Sequence, residues 1–282
     1  MFPQQFCKNS STLFITPAMW LPWIRWCFKR SRYVELAGGG RLAGFETFGE
    51  FWEAHGMMPT KKERLFMERL VLPSGVVFDI GANSGAFCIT MAKIQPSGAI
   101  HAFEPSPRTF ERLLANVRAN DVERTIECHE CAVARSTGRM SFFANPASSG
   151  TNRLLPHGYA ERNNVVEVRT VSFDDFVSDS GIQSVDFAKI DVEGFECEVL
   201  WGAARVLRER ILAVGLIELC PANLQLAGAS VEDLFQMVRE VGWTLRWITP
   251  SGDIGDQIAL DDARTVVLEN VAFVPKDGAD LE

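Results

Sequence analysis

Apolar residues in this chain come in short runs separated by amphipathic stretches, and several of the runs end in a carboxylate. Residues 76–80, 99–104, 125–130, 185–190, 211–218, 243–248 and 265–274 read as strands. Between them, 86–94, 107–119, 195–209 and 230–241 carry the periodicity of helices. Near-continuous apolar strands alternating with helices predict an α/β fold, a doubly wound and mostly parallel sheet with helices on both faces. A hairpin is expected near 133–144. The connection 251–262 is polar and rich in Gly and Asp, which suits an antiparallel return into the last strand. Ahead of this core, 45–55 and 61–72 read as helices, and Pro73-Ser74-Gly75 closes the second of them.

A chain of 282 residues with 47% apolar content can bury one large core. The simplest partition is an aromatic and basic segment over 1–40, a helical lead-in over 41–75, the main domain over 76–275 and a tail over 276–282. The net charge of −8 argues against a basic surface for nucleic acid. Lys8, Arg25, Lys29, Arg30 and Arg32 fall among the first 34 residues, where no acid occurs. Residues 13–24 are apolar, but Pro17 and Pro22 interrupt them and the stretch is too short to span a bilayer. From Pro22 onward a helix would gather Trp20, Trp23, Ile24 and Trp26 on one side, with Arg25, Lys29 and Arg32 opposite. Arg30 falls on the apolar side and weakens the pattern. Such a face suits peripheral membrane contact through residues 13–32, or docking on the protein's own core or on a second copy. Seven cysteines in mostly apolar settings and no secretory signal pattern fit a reduced, cytoplasmic protein.

The sharpest motif is Val77-Phe78-Asp79-Ile80-Gly81-Ala82-Asn83-Ser84-Gly85, a buried strand that hands a glycine-bearing loop to a helix. Nineteen residues past Gly85 the next strand ends in Glu104-Pro105, where a carboxylate can accept hydrogen bonds from a ribose diol. Together these point to a nucleoside cofactor. A dinucleotide pyrophosphate calls for the tight G-x-G-x-x-G turn, which the Gly81 to Gly85 spacing lacks. S-adenosylmethionine has no phosphate and carries an ammonium that favours an acid such as Asp79, so the balance tips to it. A nicotinamide-dependent oxidoreductase stays as the alternative, as does a silent cofactor-binding scaffold.

A further strand, Val185-Asp186-Phe187-Ala188-Lys189-Ile190, runs into Asp191-Val192-Glu193-Gly194. With the Asp79–Gly85 loop, the F-E-P-x-P segment at Phe103, Asn116 and Asn120, Ala132-Val133 and Glu198-Val199-Leu200-Trp201-Gly202, this resembles the FkbM family of S-adenosylmethionine-dependent methyltransferases over about residues 60–220. The resemblance implies a Rossmann-like, seven-stranded sheet with a reversed last strand. It implies O-methylation of a hydroxyl on a sugar, glycolipid or polyketide-like metabolite.

Ligands of such sheets sit beyond the strands' carboxyl ends. Asp79, Gly81, Asn83 and Gly85 are thereby expected around the methionine end, Glu104 and Pro105 at the ribose, and Cys131 and Ala132 near adenine. Asp191 and Glu193 are the candidate bases, with Lys189 beside them; capping the following helix is their competing role. Glu218, Asn152 and His157 are candidates for contact with the acceptor, the last two on the polar stretch 145–164. No metal is expected. Asp191, Glu193 and Glu218 offer hard oxygen ligands, but strand-end acids are common without an ion. Cys128 and Cys131 have C-x-x-C spacing, yet on a strand they point to opposite faces. His101 and His129 read as core or sheet-edge residues.

Overall fold

The computed structural model describes residues 33–145, 148–155 and 163–276. Residues 1–32 of the aromatic and basic segment, with the face expected over 13–32, and His157 lie outside the described residues. In chain order the elements are β1 (Val34–Glu35), β2 (Arg41–Leu42), α1 (Phe48–Gly56), α2 (Lys61–Leu70), β3 (Val76–Ile80), α3 (Ala86–Ile94), β4 (Ala99–Phe103), α4 (Pro107–Ala119) and β5 (Ile126–His129). There follow β6 (Ala132–Val133), β7 (Gly138–Phe143), β8 (Arg153–Leu154), β9 (Val165–Val171), α5 (Phe173–Asp179) and β10 (Val185–Ile190). The chain continues through α6 (Glu196–Gly202), α7 (Ala204–Arg208), β11 (Leu212–Leu219), α8 (Pro221–Leu226), α9 (Val231–Glu240), β12 (Trp243–Ile248), β13 (Ile254–Gln257), α10 (Leu260–Thr265) and β14 (Glu269–Pro275).

The main sheet runs β13-β12-β14-β11-β10-β3-β4-β5. β11, β10, β3, β4 and β5 are parallel neighbours, and β14 enters antiparallel between β11 and β12. The reversed last strand is as expected; the count is eight rather than seven. The eighth, β13, is Ile-Gly-Asp-Gln and pairs antiparallel with β12 at the sheet edge. A polar edge strand carries no hydrophobic signature, and Arg246 Nε donating to the Gly255 carbonyl at 2.7 Å helps to hold it.

Alternation sorts the core. Val77 and Phe187 face the side covered by α1 to α4, packing with Phe51, Phe66, Ile89 and Leu113. Phe78, Ile80, Ala188 and Ile190 face the other side, with Phe173, Val199, Leu200, Leu234 and Trp243. No hairpin forms near 133–144. β9, whose alternation is too weak to mark it as a strand in the sequence, lies between β6 and β7 in a second sheet ordered β6-β9-β7-β8. Its core holds Ala132, Phe142, Leu154, Val168 and Phe195. The helix expected over 195–209 is two helices that meet at Ala203, where Gly202 packs so closely on the Ala134 carbonyl that a Cβ would collide with it.

The lead-in is integral to the fold. Thr47 and Thr60 open α1 and α2 with reciprocal capping boxes to Glu50 and Glu63. Asn120 Oδ1 accepts from Arg41 N–H and its Nδ2 donates to the Arg41 carbonyl, at 2.8 and 2.7 Å. Asn116 Oδ1 accepts from Ala43 N–H, and its Nδ2 donates to the Ser84 carbonyl, at 2.8 and 2.9 Å. No helix among the described residues is long and apolar enough to cross a membrane.

Candidate functional site

At the carboxyl ends of β3, β4 and β10 lies a crevice that opens to solvent. Its floor is the loop 81–84, its walls include Phe87, Phe103, Glu104, Pro105, Ala132 and Val133, and Lys189, Asp191 and Glu193 close one end. The loop is shaped by close approach of two strand ends. Gly81 has φ +84°, and a Cβ on it would overlap the Asp191 carbonyl oxygen. The N–H groups of Gly81 and Ala82 donate to the Phe103 carbonyl at 3.1 and 2.9 Å, and Asp191 N–H donates to the Ile80 carbonyl at 3.0 Å. Three strands are thereby stitched together where the ligand space begins.

Glu104 is held from both sides. Its Oε2 accepts from Asn83 N–H at 3.0 Å and its Oε1 from Ser106 N–H at 2.9 Å. Each oxygen keeps lone-pair capacity toward the crevice. Burial raises its carboxyl to about 7, against the pull of those two N–H groups. Asn83 Oδ1 in turn accepts from Ser149 Oγ at 3.1 Å.

Lys189 occupies the centre of the acidic end. Its Nζ is 2.9 Å from Asp191 Oδ2 and 3.8 Å from Asp79 Oδ1, and it lies 4.6 Å from the Phe87 ring centre. Burial alone would pull the ammonium down, but Asp191, Asp79 and Glu218 hold it above its ordinary value. Glu193, at φ +54°, receives Asn223 Nδ2 on Oε2 at 2.8 Å. Burial, then the charges of Asp191 and Glu196, push the Glu193 carboxyl well up.

Several expected residues sit elsewhere. Asp79 does not line the crevice; it lies beneath the loop, and its Oδ2 accepts from Cys88 N–H at 2.9 Å, capping the first turn of α3. Gly85 is buried against Leu113 and Ile89, and Cys131 is turned into the core. Glu218 stands behind Glu193, joined to it through Asn223 Nδ2 at 3.3 Å. Gly81, Asn83, Glu104, Pro105, Ala132, Asn152, Lys189, Asp191 and Glu193 all line the space.

The sequence reading missed Met57 at the end of α1, and Phe142, Ser149, Arg153 and Leu154 of the second sheet and its loop. It also missed Glu196, whose Oε1 accepts from the N–H groups of Val192 and Gly194, both at 3.2 Å, and so shapes the turn that carries Glu193. A carboxylate two residues beyond Gly194 was the available signal.

Residues 79–243 match the family described as the methyltransferase FkbM domain. This chain belongs to that family. Its members are S-adenosylmethionine-dependent methyltransferases, and the residues that line the crevice fit that cofactor: a buried carboxylate with free lone pairs for a diol, small and apolar walls for a base, and acids for a cation. Among relatives, it is 28% identical over 160 residues to 2-O-methyltransferase NoeI of Sinorhizobium fredii, covering 52% of this chain and 65% of that one. It is 28% identical over 178 residues to hexuronic acid methyltransferase AglP of Haloferax volcanii, covering 62% and 69%. To 31-O-demethyl-FK506 methyltransferase FkbM of Streptomyces tacrolimicus it is 31% identical over 157 residues, covering 46% and 60%. The match thus spans less than two thirds of the first and third of these relatives.

Proposed function

We propose that this protein transfers a methyl group from S-adenosylmethionine to a hydroxyl of a sugar, glycolipid or polyketide-like metabolite. The observation that carries the reading is one crevice lined at one end by Glu104, fixed by two backbone N–H groups, and at the other by Asp191 and Glu193. Acceptor class rests on the relatives, whose names specify a 2-O position, a hexuronic acid and a 31-O position.

When bound, the cofactor supplies a methyl carbon already activated on a sulfonium. The protein's task is alignment and removal of the acceptor's proton. Glu104 takes the ribose hydroxyls, and Ala132 with Phe103 borders the adenine. Glu193 is the base: a carboxyl with raised proton affinity is a better match to an alcohol than an ordinary one. It ionises more readily once a cationic ligand stands beside it, because opposite charge favours the charged form. Asp191 stays paired with Lys189, and Asn223 orients Glu193. Met57, Asn152 and Arg153, on the side facing α1 and the second sheet, border the acceptor.

Calorimetric titration with S-adenosylmethionine and S-adenosylhomocysteine, on wild type and Glu104→Ala, tests the cofactor half. Binding by wild type, lost in the variant, is expected. A folded wild type that binds neither ligand overturns the reading. Transfer of labelled methyl to a panel of hydroxylated sugars and macrolides then tests the acceptor half, with Glu193→Gln expected to abolish turnover while retaining cofactor binding.

A further inference from the structure

The outer edge of the main sheet carries a cluster that methyl transfer does not use. In the parallel ladder of β4 and β5, His101 stands opposite Glu127 and Phe103 opposite His129. Strand alternation therefore puts His101, Glu127 and His129 on one face. His101 Nδ1 is 3.1 Å from His129 Nε2 and 3.6 Å from Glu127 Oε2, and Glu127 Oε1 is 4.0 Å from His129 Nε2. A tetrahedral ion with bonds near 2.0–2.1 Å spaces its ligands about 3.3 Å apart, so these three donors already form most of one face of a coordination shell.

The rings are set on rigid backbone and walled by carbon. Phe176 of α5 stands edge-on to both imidazoles, at 5.3 and 4.9 Å between ring centres. His129 stacks on Phe103 at 4.8 Å, and His101 meets Phe78 edge-on at 5.2 Å. The histidine side chains are 13% and 16% exposed while Glu127 is 70% exposed, so the cluster has an apolar back and a front open to solvent. That front leaves room for water as a further ligand.

We propose that His101, Glu127 and His129 form a binding site for a divalent transition-metal ion of the zinc and cobalt type. Two imidazoles with one carboxylate favour such ions over magnesium or calcium, which take oxygen shells. The ion ties edge strand β5 to β4. It does so next to the crevice, because the His129 carbonyl accepts from the N–H groups of Glu104 and Cys131 at 3.1 and 2.9 Å. Metal at this edge therefore braces the strand end from which Glu104 and Ala132 are presented. The competing arrangement is a proton shared between two neutral rings, which needs no metal.

The test uses tag-free full-length protein stripped with chelator and then titrated with Co²⁺. Expected is saturable visible absorption at one ion per chain, displaced by Zn²⁺, together with a rise in thermal midpoint. Glu127→Gln, at an exposed position, and His129→Asn should each weaken Co²⁺ binding by about tenfold or more, while Cys128→Ser leaves it unchanged. Anomalous scattering from a zinc-soaked wild-type crystal locates the ion without any substitution. No saturable Co²⁺ signal, a signal indifferent to both ligand variants, one lost in Cys128→Ser, or an anomalous peak elsewhere overturns the proposal.

Discussion

Glu104 shows how one buried carboxylate ties stability to pH. Burial lifts it from 4.5 to about 7, so the folded chain holds its proton more tightly than the unfolded chain does. Its contribution to stability is therefore complete below about pH 4.5 and is lost as pH rises through about 7, a cost of about 3 kcal/mol above that. Glu196, lifted to about 7 by the same cause, follows the same course. In scanning fluorimetry without ligand, the thermal midpoint should fall between pH 5 and 8. Glu104→Gln should make that fall shallower, with Glu196, Glu193 and Glu218, whose carboxyls burial also raises, keeping the rest; an unchanged slope would contradict the assignment. Lys189 is the complementary case. Lys189→Met leaves Asp79 and Asp191 without their shared cation, and breaking a buried pair in this way costs about 3–5 kcal/mol. Urea unfolding should show a loss of that order at pH 7 that shrinks in acid, where the orphaned carboxyls protonate. Glu104, Asp191 and Glu193 were legible in the sequence because strand-end position predicts access to the crevice. Asp79 and Glu218 sit at strand ends too, yet alternation along a strand gives a face and not a depth. One is absorbed by the Cys88 N–H of α3, the other by Asn223.

Between elements, the contact of the β3 and β10 loops is the tightest constraint on the crevice. Gly81→Ala places a methyl group on the Asp191 carbonyl and forces a side chain onto φ +84°, so both strand ends must move. Soluble yield should collapse, or stability fall by about 3 kcal/mol or more, with cofactor binding lost. Gly39→Ala provides the control: φ is +89° there, but the Cβ would meet nothing within 4 Å, and the cost should stay near 1 kcal/mol by chemical denaturation. Equal effects would mean that backbone strain alone, not the loop contact, governs both sites. The parallel core was readable because strands buried on two faces are written as unbroken apolar runs. β9 was not, since its residues alternate between a thin second core and solvent, and β13 was not, since its pairing is held by backbone and Arg246 rather than by apolar side chains. Met57, Phe142 and Leu154 enter the crevice only because that second sheet and α1 fold over it, a long-range placement that local pattern does not encode.

Across the whole molecule, the lead-in is a strap drawn over α4 and latched by two amides. Asn116 and Asn120 satisfy backbone groups of Arg41 and Ala43 on one side and of Ser84, in the loop that floors the crevice, on the other. Farther along, the buried Glu50 of α1 meets Arg112 of α4 at 2.9 Å, and Glu63 of α2 accepts from Asn270 Nδ2 of β14 at 2.9 Å. Burial alone would lift Glu50, but Arg112 and the N–H groups of Glu46 and Thr47 keep it below its ordinary value, so the pair persists at neutral pH. The strap is thus joined by directional polar contacts to the helix that borders the 81–84 loop, and Met57 at the end of α1 reaches the same crevice. Removing the latch leaves buried donors unpaired, at about 1–3 kcal/mol each. In the Asn116→Ala, Asn120→Ala double variant, hydrogen exchange should lose protection over residues 34–56 and around Ser84, while β10 and β11 keep theirs. Cofactor affinity should drop with it, because the freed Ser84 carbonyl and the displaced Met57 both belong to the crevice wall. Loss of protection confined to residues 34–45 with cofactor affinity intact would separate the strap from the site; loss throughout the sheet would make the amides part of the global core instead.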